Sequence, residues 1–130
     1  MGPLKLLLDT HCWLWLKGAP ERLPSPLRRR LTRNPAKLVL SSVAVLEIVI
    51  KRSTGRLTLE GTPDELVAEL LEDGASVLGF DHAHALRLGS LPMLHRDPFD
   101  RMLVAQAQAE HIPLISNESV FDSYGVQRFW

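Results

Sequence analysis

The chain has 130 residues, 45% of them hydrophobic, with fifteen Lys and Arg against fifteen Asp and Glu. That is the size and core content of one globular domain and not the composition of a disordered chain. The longest apolar run, Leu38 to Ile50, is too short to span a bilayer and contains Glu47, and a single cysteine, Cys12, excludes an internal disulfide.

The zero net charge is a cancellation between two halves. Residues 1–56 carry eleven Lys and Arg against Asp9, Glu21 and Glu47, a balance of +8. Residues 57–130 carry four Arg against twelve acids, a balance of −8. Such a split suits a basic nucleic-acid surface beside an acidic pocket, and equally suits ordinary solvated helix faces. The apolar start is cut off by Asp9, so no secretory signal is expected and the chain reads as soluble and cytoplasmic.

In chain order, Leu4 to Leu8 reads as a strand buried on both faces, as in parallel sheets. Thr10 to Leu16 then reads as a helix stopping near Gly18 and Pro20. Ser25-Pro26 places a cap before a proline and opens a helix through Arg33. Lys37 to Ser41 is a second strand. Ser42 can cap a helix from Val43 to about Arg52, with Gly55 as its stop. Arg56 to Leu59 is ambiguous. Thr62-Pro63-Asp64-Glu65 has the form of a capping box and starts a helix to Glu72. Ala75 to Phe80 is a third strand, and Asp81 caps a helix that Gly89 ends. Asp97-Pro98 begins the longest helix, to about Glu110. Pro113 to Ser116 is a fourth strand, Ser119 to Asp122 a short turn or helix, and Val126 to Trp130 a fifth strand. This alternation predicts a doubly wound α/β domain with a mostly parallel sheet of about five strands.

On this map, acids recur at strand ends, where ligands of parallel sheets bind. Asp9 ends the first strand. Glu47 follows the second, Glu118 follows the fourth, and Asp100 lies in the first turn of the long helix, three residues after Asp97. Converging carboxylates raise one another's pKa unless a cation sits among them. An all-oxygen set suits Mg²⁺ or Mn²⁺, whereas zinc would call for more His or Cys. Hard divalent ions held this way support phosphodiester hydrolysis. Each acid also has a plainer role open to it. Asp97 can be an N-cap, Asp100 can complete a capping arrangement, Glu47 can pair with Lys51 one turn on, and Glu118 can face solvent from a loop.

The segments LLLDTHCWLW, SSVAVLEIVIK, HRDPFDRMLVAQAQ and PLISNESVFDSYGV make the chain resemble the PIN-domain ribonuclease toxins of the VapBC toxin–antitoxin type, nearly from end to end. The resemblance implies a single PIN-like domain over residues 1–130, folded as a three-layer α/β/α structure. It implies a metal-dependent endoribonuclease, a hydrolase of RNA phosphodiesters, neutralised by a small cognate antitoxin and commonly homodimeric. Carried over by position, Asp9, Glu47 and Asp100 become the catalytic acids that bind Mg²⁺ or Mn²⁺. Glu118 stands where the family commonly has an aspartate, and Asp97 stands close to the site as a ligand or a supporting residue. Ser116, at the family's Thr/Ser position, is placed to hydrogen-bond within the site, with Thr10 and Arg101 beside it.

Arg28, Arg29, Arg30, Arg33, Lys51, Arg52 and Arg56 are candidates for RNA phosphate contacts, or for an antitoxin's acidic tail, or for a plain solvated face. Trp13, Trp15 and Leu16 read as core or dimer contacts. No nucleophile–base pairing is evident for His11 or His95, while His82, His84 and His111 read as helix-surface or helix-end residues. Two other readings compete. A phospho-receiver domain would need paired acids after the first strand and a Lys after the fifth, which this chain lacks. A non-catalytic PIN-like module for protein interaction or RNA binding is the standing alternative.

Overall fold

The structure, a computed structural model, describes residues 5–130. Its elements are β1 (Leu6–Leu8), α1 (Thr10–Gly18), α2 (Ser25–Arg33), β2 (Leu38–Ser41), α3 (Ser42–Ser53), α4 (Pro63–Glu72), β3 (Ser76–Leu78), α5 (His82–Gly89), α6 (Pro98–Glu110), β4 (Leu114–Ile115) and β5 (Arg128–Phe129). Short 3₁₀ turns occupy Pro20–Arg22, Pro35–Lys37 and Ser119–Tyr124. Leu4, the expected first residue of β1, lies outside the described residues.

All five strands are parallel, in the order β3-β2-β1-β4-β5. Parallel neighbours need crossovers, and helices supply them on both faces of the sheet. Successive strand residues point to opposite faces, so Leu6 and Leu8 pack with Leu38, Leu40, Trp13, Leu27, Leu31 and Ile48 on one side. Leu7 packs with Val39, Leu114, Leu103, Val104 and Phe121 on the other. The result is the expected three-layer α/β/α arrangement. β1, central and without exposed residues, explains why its sequence reads as a continuous run of leucine. β3, expected over Ala75 to Phe80, is a shorter edge strand, and its Ser76 and Val77 are exposed.

The chain runs from β1 outward to β2 and β3, then returns to the far side of β1 with β4. The strand order therefore reverses between β1 and β4, and the carboxyl edge there is the position at which open α/β sheets bind ligands. The helices α1, α3 and α6 all start at this edge, each capped by a side chain. Asp9 accepts from Cys12 N–H, Ser41 from Val43 N–H, and Asp97 from Phe99 and Asp100 N–H. Gln106, wholly buried in α6, binds this edge together: it accepts from Ser41 Oγ and donates to the Gly79 carbonyl at 3.3 Å.

Several caps differ from the sequence expectation. The α3 cap is Ser41, one residue before Ser42, because Ser41 is the last strand residue and retains extended backbone. Ser25 lies inside α2, with Pro24 at the cap position and no side-chain cap bond. Thr62 accepts from Glu65 N–H as expected. The reciprocal bond appears instead in α5, where Asp81 and His84 form a full capping box. Asp100 contributes only its backbone N–H to the Asp97 cap, which leaves its carboxyl for other uses.

Candidate functional site

β1 ends in Asp9, whose backbone N–H donates to the Ile115 carbonyl of β4, so the strand pairing itself fixes its place. Asp9 Oδ1 caps α1, accepting from Cys12 N–H at 2.8 Å. Its other oxygen, Oδ2, is buried and has no hydrogen-bond partner. Thr10, the first residue of α1, donates from Oγ1 to Glu47 Oε1 at 2.7 Å, reaching from β1's end to the middle of α3. Lys51, one turn along α3, pairs with the other oxygen, Glu47 Oε2. The pairing of Glu47 with Lys51 one turn on is present, and Glu47 itself is buried, 1% exposed.

Asp100, in the first turn of α6, is buried beside them. Burial, reinforced by the negative charges of Asp97, Glu118, Glu47 and Asp9, pushes its pKa up to about 8. Of these acids, Asp100 and Glu118 come close enough, together with His95, for their ligand atoms to lie within 4.8 Å of one another. The pKa of the Lys51 ammonium is raised as well, chiefly by its hydrogen bond to Glu47. Ser116, buried at the end of β4, accepts from Glu118 N–H at 3.0 Å and sets the turn that brings Glu118 to the crevice. Glu118 is not the freely solvated loop residue its position allows: its Oε2 is buried and unpartnered. Burial and the neighbouring Asp9 raise the Cys12 thiol well above the usual range, so it remains a buried thiol in the core.

His95 enters this site from the loop before α6, its Nε2 lying 3.0 Å from Asp100 Oδ2 and 3.9 Å from Glu118 Oε2. The sequence expectation gave it no partner. The available signal was its spacing, two residues before the Asp97 cap, which lets Nδ1 take the Asp97 N–H. Arg101, expected beside the acids, turns away and donates to the Leu91 carbonyl at 3.3 Å. One residue along a helix rotates the side chain by about 100°, so Arg101 cannot share the face of Asp100. His84 is also misread from sequence: it is 1% exposed, buried by its cap bonds to Asp81 and its packing on Phe80.

The basic candidates lie elsewhere. Arg29, Arg30 and Arg33 are exposed on α2, with the Arg30 guanidinium 4.7 Å above the Phe129 ring of β5. Arg28 is half-buried and reaches the Pro20 carbonyl. Arg52 and Arg56 are exposed at and beyond the end of α3. Trp13 is core, while Trp15 packs between His11 and Trp130 at the surface. Among the described residues, no helix is long and apolar enough to cross a membrane.

Fold and site together define a doubly wound α/β protein with carboxylates gathered at the strand ends of its topological switch point. The PIN-domain family model matches residues 6–127, and the chain belongs to the PIN-domain family. PIN domains are generally metal-dependent nucleases. Similar solved structures include DNA-bound VapBC from Salmonella typhimurium, at 20% identity and TM-score 0.68 over 98% of each chain. VapBC2 from Rickettsia felis bound to a promoter DNA fragment is similar at 15% identity and TM-score 0.72, over 97% of this chain and 98% of that one. FitAcB from Neisseria gonorrhoeae is similar at 21% identity and TM-score 0.64 over 96% of each chain. At these identities the likeness is one of fold. No curated protein sequence matches the chain significantly.

Proposed function

We propose that this protein is a metal-dependent endoribonuclease acting as the toxin of a toxin–antitoxin pair in the cytoplasm. The observation that carries the reading is Asp9 Oδ2, buried at the carboxyl end of β1 without a hydrogen-bond partner among the described residues, while the charges of Asp9, Glu47, Asp97 and Glu118 all act on the buried Asp100. A buried carboxylate oxygen without a donor is costly, and a divalent cation removes that cost. The donor set fits Mg²⁺ or Mn²⁺, being oxygen-rich and free of thiolates. Asp9, Asp100 and Glu118 would hold the ion, with Glu47 and Asp97 completing the charge around it. Bound there, it would stabilise charge developing on a phosphodiester and acidify an attacking water.

The chain's own residues supply the rest. Thr10 and Lys51 hold Glu47 in one orientation, and Ser116 fixes the backbone from which Glu118 extends. Asp97 spends Oδ1 on capping α6, which keeps Asp100 at the mouth of the crevice. The raised pKa of Asp100 reflects burial and the repulsion of its acidic neighbours, which a bound cation would relieve. The exposed arginines of α2, with Arg52, give RNA a non-specific backbone grip. A small antitoxin as partner is supported by the VapBC and FitAB complexes that share this fold, and a homodimer is the assembly proposed for the toxin.

The test is cleavage of a mixed RNA pool, with single-stranded DNA alongside, under Mg²⁺, Mn²⁺ or chelator. Metal-dependent RNA cleavage lost in Asp9→Asn supports the reading. Equal cleavage by both proteins removes the role of Asp9. Intact RNA under both metals favours the non-catalytic interaction module.

A further inference from the structure

His95 is fixed in the carboxylate cluster from three directions. Its backbone N–H, with that of Leu94, donates to Tyr124 Oη, at 2.9 and 3.1 Å respectively. Its ring packs against Phe121, with centroids 5.9 Å apart. Asp97 N–H donates to its Nδ1 at 3.1 Å. Phe121 and Tyr124 belong to the 3₁₀ turn Ser119–Tyr124, for which Glu118 is the cap residue. The segment that places Glu118 therefore also places His95.

The bond to Nδ1 decides which nitrogen carries the proton. A neutral imidazole has one donor and one acceptor nitrogen, so an Nδ1 that accepts leaves the hydrogen on Nε2. Nε2, which then carries the hydrogen, lies 3.0 Å from Asp100 Oδ2 and 3.9 Å from Glu118 Oε2. His95, Asp100 and Glu118 each offer an atom within 4.8 Å of the others, a grouping close enough to hold a metal ion. Ligation through Nε2 would require its lone pair, and so a proton on Nδ1. That proton would collide with the Asp97 N–H, itself fixed by the start of α6.

We propose that His95 is a positioning residue of the carboxylate centre: its Nε2–H tethers Asp100, and it is not a metal ligand. The inference rests on the metal-centre reading above. With one oxygen of Asp100 tethered, the carboxylate loses its rotational freedom on folding and not on cation binding. Its remaining lone pairs are left for the ion. Tyr124 and Phe121 are the supports that keep the imidazole itself in place, as such partners must if they are to orient a ligand.

Mn²⁺ titration followed by electron paramagnetic resonance tests this in the wild type, His95→Ala and His95→Gln, with a pulsed experiment for ¹⁴N coupling. His95→Ala is expected to weaken Mn²⁺ binding about tenfold or more, the range for partners that orient a metal ligand. His95→Gln, whose side-chain amide N–H replaces Nε2–H, is expected to recover most of that loss. No directly coordinated nitrogen is expected in the wild type. A directly bound ¹⁴N, or unchanged Mn²⁺ affinity in His95→Ala, overturns the proposal. Thermal melting in chelator controls for folding. Should the alanine variant unfold, a full loss of affinity in a folded His95→Gln overturns it instead. A wild type that binds no Mn²⁺ fails the metal-centre reading itself, and the proposal falls with it.

Discussion

Thr10 Oγ1 donates to Glu47 Oε1 at 2.7 Å, joining residues 37 positions apart, and both side chains are buried. The bond locks α3 to the start of α1 at the mouth of the crevice. With Lys51 on Oε2, it also satisfies a carboxylate that would otherwise be a serious burden in the core. Thr10→Val is expected to cost about 1–3 kcal/mol, the range for leaving a buried charged acceptor without its donor. Thr10→Ser should cost much less. Chemical denaturation of the two variants measures the difference, and equal stabilities would show that the hydroxyl contributes nothing.

Asp9 uses its two oxygens differently, Oδ1 for the α1 cap and Oδ2 for the crevice. Asp9→Asn keeps an oxygen acceptor for Cys12 N–H and removes a repelling charge, so the metal-free protein should melt no lower than wild type. Asp9→Ala also loses the cap and should be destabilised by about 1 kcal/mol relative to Asp9→Asn. Both should lose more RNA cleavage than the roughly 10–100-fold typical of residues that only support a ligand. Calorimetry and a cleavage assay on the same preparations separate the two roles.

Asp100 makes the metal-free fold pH-dependent in a specific direction. Its pKa of about 8 lies above that of the unfolded chain, so between these values the native state binds the extra proton. Stability from this group therefore falls as pH rises from about 4 to about 8 and is flat beyond. The lowered pKa of Asp122, held down by its hydrogen bond to Arg128, acts in the opposite sense at low pH, so the comparison must be a difference. In chelator, wild type minus Asp100→Asn should show the falling slope between pH 5 and 8. Saturating Mn²⁺ should abolish it, with protons released on binding. A flat difference curve in chelator would mean that Asp100 is ionised throughout.

His84 caps α5 with an imidazole in the place where Glu or Gln commonly stands. Asp81 N–H donates to its Nδ1 at 3.0 Å, and His84 N–H donates back to Asp81 Oδ1 at 3.1 Å. His84→Gln keeps an acceptor for Asp81 N–H, while His84→Ala loses both cap and packing. The alanine variant is expected to be less stable than the glutamine variant by about 0.5–2 kcal/mol, the usual range for a lost cap. Hydrogen exchange at Asp81 and in the first turn of α5 should report the loss locally.

Strands and helices were legible because period and punctuation agree: leucine runs for β1 and β2, and Asp97-Pro98 for the start of α6. The acids were legible for the same reason, since strand ends in a parallel sheet define a common edge. What escaped was set by long-range contacts or by helix phase. His95 depends on a loop that Tyr124, some thirty residues on, holds in place. His84 is buried by an uncommon capping pair. Arg101 follows Asp100 in sequence, yet helical rotation turns it to Leu91. Gln106 gave no sign of its role, because its partners Ser41 and Gly79 come from two other stretches of the chain.

Three helix starts, those of α1, α3 and α6, point their positive ends at the crevice, yet five acids stand in front of them. A helix terminus amounts to about half an elementary charge, so the carboxylates prevail and the bare crevice repels any polyanion. Under the proposed function, entry of a nucleic-acid chain would therefore depend on a cation that offsets these acids. On that reading, a shortage of the divalent cation would by itself keep the folded molecule idle.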